Sequence, residues 1–133
     1  MKGFIFYSKS VLENGRFPLD TLTSQTLEEK NEQAMLCLQR VGLENSALLM
    51  PSEISGGMKK RVGLARTLML KPKVLLYDEP TTGLDPITVR LIHELMRKTH
   101  DEQNATTVVI SHDVEIFKFA THVAMLFEGK IIY

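Results

Sequence analysis

The run Val74-Leu75-Leu76-Tyr77-Asp78-Glu79-Pro80 is the most informative segment of the chain for its fold. Four consecutive apolar residues, bounded by charge and proline, are typical of a strand that is buried on both sides. Thr106–Ile110 is a second, β-branched strand candidate, and Asp85-Pro86 between the two is a typical helix start. Strands that alternate with a helix predict an α/β fold with a parallel sheet and flanking helices.

Three helices are predicted around these strands. Thr26-Leu27-Glu28-Glu29 has the spacing of a capping box and predicts a helix over Leu27–Val41, with Gly42 at its C-terminal cap. Ser55-Gly56-Gly57 opens a second helix, which Pro72 stops. The third begins at Asp85, and the residues that we expect to be buried along it are Ile87, Leu91, Leu95 and Met96.

Shorter elements are predicted toward the two ends of the chain. Gly3–Tyr7 is an apolar, aromatic run that suits a strand, and Ser8–Gln25 is expected to be a loop because Gly15 and Pro18 interrupt it. Toward the C-terminus we expect a short helix at Val114–Ala120, a strand at Val123–Phe127, a turn at Glu128–Lys130 and an antiparallel edge strand from Ile131.

The composition narrows the classes of function. A chain of 133 residues is about one domain, and its 44% of hydrophobic residues exclude disorder along the whole chain. Sixteen basic and sixteen acidic residues give a net charge of zero, which argues against a nucleic acid or an anionic membrane surface bound by bulk charge. The single Cys37 indicates a reducing compartment. No apolar run reaches the ~18 residues needed to span a bilayer.

Polar residues follow both predicted core strands. Asp78 and Glu79 end the first strand, and Ser111-His112-Asp113 ends the second. Open α/β sheets bind ligands at the carboxyl ends of their parallel strands. A carboxylate there can hold Mg²⁺, and a second carboxylate can orient or deprotonate a water that attacks a phosphoryl group.

Ser55-Gly56-Gly57 stands just before a helix and has no side-chain bulk at two residues. Backbone N–H groups and the positive end of a helix can bind a phosphate at such a place. The helical spacing of Arg61 and Arg66 favours a face directed at that phosphate.

Each cluster also has a simpler structural explanation. Asp78-Glu79 can be a helix-starting acidic pair, His112 an ordinary loop histidine, and Ser55-Gly56-Gly57 a turn with an N-cap. The other histidines lack a motif context and are predicted to be surface or packing residues: His93, His100 and His122.

Five elements then follow one another along the chain: Ile54–Met58, Leu64–Arg66, Val74–Thr81, Gly83–Pro86 and Val109–Asp113. In this order they resemble the nucleotide-binding subunit of ATP-binding-cassette (ABC) transporters, from about residue 41 to the C-terminus. The amino-acid sequence of residues 51–65 and 81–88 is most similar to that of the branch that powers lipid transport between bacterial membranes with mammalian-cell-entry-type partner proteins.

The resemblance implies a role for each motif. Asp78 would be the Walker B carboxylate that holds Mg²⁺ through water, and Glu79 would polarise the attacking water. His112 would be the switch histidine at the γ-phosphate of ATP, and Asp85 would belong to the D-loop that crosses between subunits. Ser55, Gly56 and Gly57 would form the signature sequence, which closes on nucleotide held by a second nucleotide-binding subunit in a head-to-tail dimer. A membrane permease is the other implied partner, at the cytoplasmic face of the inner membrane.

Two family motifs are missing. The 133 residues contain no G-x-x-x-x-G-K-[ST] phosphate loop (Walker A), and Tyr7 stands where the Q-loop glutamine is expected. The resemblance therefore implies an incomplete ABC ATPase domain over residues 1–133, in which about 17–72 are the helical subdomain and signature helix and about 73–133 the C-terminal core strands and helices. We expect the isolated chain to bind ATP weakly or not at all.

Three functions remain open. The first is an ATP-hydrolysing transport motor present as a truncated chain, and the second is a non-catalytic module that donates its signature motif to an intact partner's ATP site or blocks it. The third is a soluble ABC ATPase outside transport, which the lack of a coiled-coil insertion or basic domain disfavours. Lys59-Lys60-Arg61 is interpreted as a solvated helix face, so no nucleic-acid partner is expected.

Overall fold

The structure, a computed structural model, describes residues 5–132 as helices and short strands joined by loops. The α-helices are α1 (Val11–Leu22), α2 (Leu27–Arg40), α3 (Gly56–Leu68) and α4 (Pro86–Gln103). The strands are β1 (Val74–Asp78), β2 (Thr106–Ile110), β3 (Leu126–Phe127) and β4 (Lys130–Ile131). Short 3-10 segments lie at Glu44–Ser46, Pro51–Glu53 and Val114–Phe119.

Helix α1 occupies the segment that the sequence predicts as a loop, so that prediction is wrong. The Ser10 side chain accepts from the Glu13 amide, and the Glu13 carboxylate accepts from the Ser10 amide at 2.8 Å. This reciprocal cap starts the helix, and burial of Val11 and Leu19 against its neighbours stabilises it. Together these outweigh the helix-breaking tendency of Pro18, which lies inside α1.

Helices α2 and α3 confirm the sequence prediction. Thr26 caps α2 in the expected capping box, and Gly42 follows its end with a φ of +65°, where glycine costs least. Ser55 caps α3. The three helices pack around a common core whose most buried members include Val11, Leu38, Val41, Val62 and Ala65.

Strands β1 and β2 pair in parallel, with Val74 opposite Thr106 and Asp78 opposite Ile110. Helix α4 connects them, so this part of the chain is a strand–helix–strand unit. The structure confirms the predicted α/β class, a parallel sheet with flanking helices. Because the strands are parallel and in register, their carboxyl ends lie at the same edge of the sheet.

Burial of β1 on both sides is not observed. Leu75 and Tyr77 point into the core, whereas alternate residues of both strands point to solvent. We call this second surface the open face, and its apolar residues are Val74, Leu76, Val108 and Ile110. The continuous apolar run of β1 indicates that both of its faces are suited to burial. It does not determine whether another element packs on the open face.

The buried side of α4 differs in part from the prediction. Leu95 and Met96 are buried as expected and Leu91 is half-buried, but Ile87 is 82% exposed. The packed stripe runs through Ile92, Leu95, Met96 and Thr99, at helical spacings of three and four residues. Ile87 precedes this stripe in the first turn and therefore lies outside the packed face.

The C-terminal elements have the predicted order with shorter lengths. The short helix predicted at Val114–Ala120 is present as a 3-10 helix over Val114–Phe119, and the strand expected over Val123–Phe127 is reduced to β3. β3 and β4 pair antiparallel around Glu128-Gly129, which confirms the predicted turn and edge strand. Tyr133 lies outside the described residues.

At the N-terminal end, the predicted strand Gly3–Tyr7 is not formed by its described residues, since Ile5–Tyr7 are irregular or in a turn. Gly3 and Phe4 lie outside the described residues. Across residues 5–132, no helix combines the length and the apolar character needed to cross a membrane.

Candidate functional site

Glu79 and His112 meet at the carboxyl edge of the sheet. His112 Nδ1 lies 3.0 Å from Glu79 Oε1 and 2.9 Å from Oε2. The backbone reinforces this approach, because the Glu79 amide donates to the Ile110 carbonyl at 2.9 Å. Glu79 has a φ of +48°, which is uncommon for a residue with a side chain and typical of functional sites. The parallel sheet thus brings together two residues separated by 33 positions.

The protonation of this pair follows from its hydrogen bonds. The bond to His112, followed by a bond from the Thr82 hydroxyl, holds the pKa of the Glu79 carboxyl below its usual value. The same contact with Glu79 raises the pKa of His112 above that of an ordinary histidine. Glu79 is therefore ionised at neutral pH and keeps lone pairs that can accept a hydrogen bond from water.

Asp78 stands beside this pair at the end of β1, on the open face, and is exposed. Carboxylate oxygens are ligands that Mg²⁺ prefers, and that ion usually takes one or two carboxylates together with water and phosphate oxygens. Over residues 5–132, no group of three or more His, Cys, Asp or Glu side chains is arranged to hold a metal ion. A single exposed carboxylate fits the expected Mg²⁺ only if other ligands come from water and nucleotide.

Thr82 belongs to the site, although the sequence motifs did not single it out. Its hydroxyl donates to Glu79 Oε2 at 2.8 Å, and its carbonyl accepts from the Lys60 ammonium on α3. The signal for it is a hydroxyl residue three positions after a carboxylate at a strand end, a spacing that allows a local bond. Lys60, Asp78 and Glu79 also line one shallow cavity between α3, β1 and α4.

Ser55, Gly56 and Gly57 form the start of α3, away from any bond to Glu79. Ser55 Oγ accepts from the Met58 amide at 3.2 Å, so the N-cap explanation is correct for this residue. A Cβ at Gly57 would make ordinary contacts with Leu84 and Thr88, whereas a Cβ at Gly56 would meet no described residue within 4 Å beyond the adjoining backbone. Packing within the chain therefore gives no reason for glycine at position 56.

Asp85 caps α4 close to the start of α3. Its carboxylate accepts from the amides of Ile87 and Thr88 at 3.1 and 3.0 Å and from the Thr88 hydroxyl at 2.6 Å. These bonds, led by that of the Thr88 side chain, lower the pKa of Asp85. Because Thr88 also neighbours Gly57, the structure groups Asp85 with Gly57 and its neighbours at one end of the two helices.

The residues around α3 require two corrections. Arg61 does not face a phosphate site: its Nη1 donates to the Val41 carbonyl at 2.9 Å and so caps α2. Arg66 stacks over the Phe6 ring at 5.6 Å and is half-buried, which lowers its pKa by desolvation. Arg61 thus links α3 to the end of α2, and Arg66 links α3 to the irregular segment before α1. Tyr7 is 67% exposed and lies under Lys59 Nζ at 5.3 Å from the ring centroid.

His93 is buried, which confirms the packing interpretation for that histidine. Its Nε2 lies 3.3 Å from Asp113 Oδ2, in the residue that follows His112. Asp113 also caps the Val114–Phe119 segment, where Oδ1 accepts from the Glu115 amide at 3.0 Å. The sequence offered no motif for His93, because its role depends on a contact between distant segments.

The predicted site residues therefore form two groups. Asp78, Glu79 and His112 lie together at the sheet edge, and Ser55–Gly57 with Asp85 lie at the starts of α3 and α4. Thr82 lies between them, since it contacts both Glu79 and α3.

Curated relatives are similar in sequence to this chain over nearly its whole length. The chain is 38% identical over 131 residues to "Intermembrane phospholipid transport system ATP-binding protein MlaF" of Escherichia coli K12, a match that covers 98% of this chain and 49% of that protein. It is 40% identical over 129 residues to "Methionine import ATP-binding protein MetN" of Staphylococcus saprophyticus, covering 96% of this chain and 38% of the relative. The chain spans about half the length, or less, of the curated relatives it matches.

A solved structure has the same fold. It is a dimeric, post-hydrolysis state of the ATP-binding cassette MJ0796 bound to ADP and Pi, with a TM-score of 0.90 and 31% sequence identity. The match covers 100% of this chain and 59% of that one. The sequence profile of the ABC transporter family matches residues 2–82, more than half of the chain. The chain belongs to the ABC transporter family.

Proposed function

We propose that this chain is part of an ATP-hydrolysing ABC cassette, with ATP and Mg²⁺ as its cofactors. The observation that carries the proposal is the contact between Glu79 and His112 at the carboxyl edge of a parallel sheet, with Asp78 beside it. The solved cassette of the same fold is bound to ADP and Pi, which supports a nucleotide at this fold.

Glu79 supplies the base that the reaction needs. An ionised carboxylate at the sheet edge orients a water molecule and accepts its proton as the water attacks the γ-phosphate. The contact with His112 fixes where this carboxylate points. His112 is 77% exposed, so its remaining nitrogen is free to reach a phosphate oxygen.

Asp78 holds Mg²⁺ through water in this proposal. The ion neutralises charge on the phosphates when it is bound. The exposed position of Asp78, one residue before the base, suits a ligand that shares the ion with water and phosphate.

Ser55, Gly56 and Gly57 bind the nucleotide of a second subunit. The amides at the start of α3 and the helix dipole favour an anion there. Among residues 5–132, nothing beyond the adjoining backbone lies within 4 Å of a Cβ built at Gly56, which supports this role because it leaves space for a group from outside the chain. Asp85, at the adjacent start of α4, would cross to the same partner.

The partners follow from the same proposal. We infer a head-to-tail dimer with a second nucleotide-binding subunit and a membrane permease, at the cytoplasmic face of the inner membrane. We also infer the domain division of the sequence analysis, with a helical subdomain over about residues 17–72 and core strands and helices over about 73–133. The dimeric state of the similar solved cassette supports the first partner.

We propose a lipid as the transported substrate. One relative is named for intermembrane phospholipid transport and another for methionine import, at 38% and 40% identity. The amino-acid sequence of residues 51–65 and 81–88 resembles the lipid-transport branch of the family, which favours a lipid substrate.

The open face favours a second candidate, a non-catalytic module. Leu76 and Ile110 are 63% and 62% exposed there, and apolar side chains at that density favour a protein partner. Such a module would donate Ser55–Gly57 to an intact partner's ATP site or block that site.

One reconstitution tests the first proposal. The chain is co-expressed with the half of E. coli MlaF that it does not match, and phosphate release is measured. We expect hydrolysis that Glu79→Gln lowers about 100- to 10,000-fold, because the base is lost, whereas ATP binding persists. His122→Gln, at an exposed histidine outside the site, is the matched control. An unchanged rate in Glu79→Gln would overturn the role of Glu79.

A second assay separates the two candidates. The chain alone is titrated with a fluorescent ATP analogue, and it is also mixed with intact MlaF. Weak or no binding by the chain, with stimulation of MlaF that Ser55→Arg abolishes, supports donation of the signature. Inhibition of MlaF supports a blocking module. Micromolar binding by the chain alone would contradict its expected dependence on a missing phosphate loop.

A further inference from the structure

Two histidine–carboxylate pairs lie on consecutive residues of the loop that follows β2. His112 contacts Glu79 and is 77% exposed, whereas Asp113 faces His93, whose side chain is only 7% exposed. The exposed pair belongs to the site already described. The buried pair has no part in the proposed reaction, and the five family elements do not include His93.

Asp113 is held from three directions. Its Oδ1 accepts from the Glu115 amide at 3.0 Å, and its own amide donates to Ser111 Oγ at 3.0 Å. Its Oδ2 lies 3.3 Å from His93 Nε2. The first two contacts are local to the loop, so His93 supplies the contact of Asp113 that reaches another element, α4.

His93 Nε2 has no hydrogen-bond partner of good geometry in the described part of the chain. The nitrogen is thus buried, within ion-pair distance of a carboxylate, and off the line of a hydrogen bond. A buried polar nitrogen costs free energy unless an acceptor stays close to it, and the Asp113 carboxylate is the acceptor within 3.3 Å. The loop therefore has a preferred place against α4, which His93 sets.

We propose that His93 is a positioning residue for His112: through Asp113 it ties the His112 loop to α4. The inference rests on the proposed function, since the position of His112 matters for hydrolysis only if that histidine contacts the phosphate. Asp85 caps helix α4, and His93 lies eight residues after it, ~12 Å along the axis. One rigid helix therefore links the Asp85 cap to the loop that carries His112.

Hydrogen exchange of the full chain, read by mass spectrometry at low-micromolar concentration, tests this role. The two informative variants are His93→Gln and His93→Met, whose side chains have the same length and differ in the amide that can donate to Asp113. In His93→Met we expect several-fold faster exchange in the peptide that covers residues 111–119, with the α1 peptide unchanged. In His93→Gln we expect exchange close to that of the unsubstituted chain. Glu94→Met, at an exposed residue of the same helix next to His93, is the control and should leave residues 111–119 unchanged.

Two other results would overturn the positioning role of His93. Equal exchange in His93→Gln and His93→Met would show that the donor is irrelevant. Faster exchange throughout the chain in His93→Met would show that His93 supports the whole fold rather than the loop. The measurement contains no nucleotide, so its failure is distinct from a failure of the ATPase proposal, which the reconstituted hydrolysis assay reads.

Discussion

The helical part of the chain, α1 to α3, and the strand part, β1 to β4, bury their apolar residues to different degrees. Val11 and Leu38 in the helical part are fully buried, whereas Leu76, Ile110 and Leu126 in the strand part are 62–72% exposed. A helix satisfies its backbone hydrogen bonds within itself and needs one packed face, which its neighbours in sequence supply here. A strand needs partners on its edges and faces that come from elsewhere. The helical part therefore buries its central apolar residues within this chain, whereas one apolar face of the strand part stays exposed.

Substitution of one leucine in each part gives the largest expected contrast. Leu38→Ala removes a fully buried side chain and should lower the free energy of unfolding by about 2–5 kcal/mol, because a cavity remains. Leu76→Ala on the open face should change it by less than about 0.5 kcal/mol. Urea unfolding of the two variants measures both values. Equal losses would show that the open face is already packed in solution.

The second largest effect is expected when charge is placed on the open face, where it should weaken self-association of the chain. Leu76→Lys combined with Ile110→Lys should reduce concentration-dependent self-association several-fold, because two ammonium groups then interrupt the apolar surface. Sedimentation velocity over a concentration series measures this change. Leu48→Lys is the control, since Leu48 is 84% exposed but lies in the helical part. A similar reduction in the control would mean that overall charge, not the open face, governs association.

The capping boxes of α1 and α2 test how far the helical part depends on local signals. Ser10→Ala and Thr26→Ala should each cost about 1 kcal/mol, since each leaves helix N–H groups without an acceptor. Thermal or urea unfolding reads the loss. Thr21→Ala, at an exposed hydroxyl that donates to the Phe17 carbonyl inside α1, should cost less. A negligible effect of Ser10→Ala would mean that packing alone holds α1.

The smallest expected effect concerns the pH dependence of the Glu79–His112 contact. The pKa of Glu79 is lowered, so its part of the contact is complete above its ordinary value of 4.5 and is lost as the pH falls through the shifted value. The pKa of His112 is raised, so its part is complete below its ordinary value of 6.5 and is lost as the pH rises through the shifted value. The contact should be strongest between these two ordinary values.

NMR titration of the Glu79 carboxyl measures this effect. His112→Gln should move the pKa of Glu79 upward toward 4.5, because the charged partner is removed while the Thr82 bond remains. Substitution of His122, which lies elsewhere on the surface, is the control. An unshifted Glu79 in His112→Gln would show that the two side chains do not meet in solution.

Much of the fold was predictable where the signal is local. Three elements are determined by residues within their own segments: α2 by the Thr26 capping box, α4 by its Asp85-Pro86 start, and β2 by its β-branched run. Helix α1 was not predicted, because Gly15 and Pro18 indicate a loop; its local signal is the capping box of Ser10 and Glu13, which the structure shows. The extent of β3 was overestimated, because a short apolar run does not specify how many of its residues find a partner.

The residues of the candidate site likewise divide into those that the sequence predicts and those that only the structure reveals. Asp78, Glu79 and His112 could be singled out because motif order and strand ends place them at one edge of a sheet. The assignment of Arg61 and Arg66 to a phosphate-facing surface was wrong, because the spacing of residues on a helix does not say which neighbour each side chain meets. The contact of Thr82 with Lys60 and that of His93 with Asp113 are visible only in the structure, since each joins separate segments.

The sequence by itself determined the family resemblance, the order of helices and strands from α2 onward, and the identity of the residues at the strand ends. These features depend on periodicity, caps and motif spacing, which act over a few neighbouring residues. Only the tertiary structure decided that Glu79 meets His112, that Arg61 caps a helix, and that one face of the sheet stays open. Such features depend on which distant segments pack together, because burial and hydrogen-bond partners are properties of the packed chain and not of any single segment.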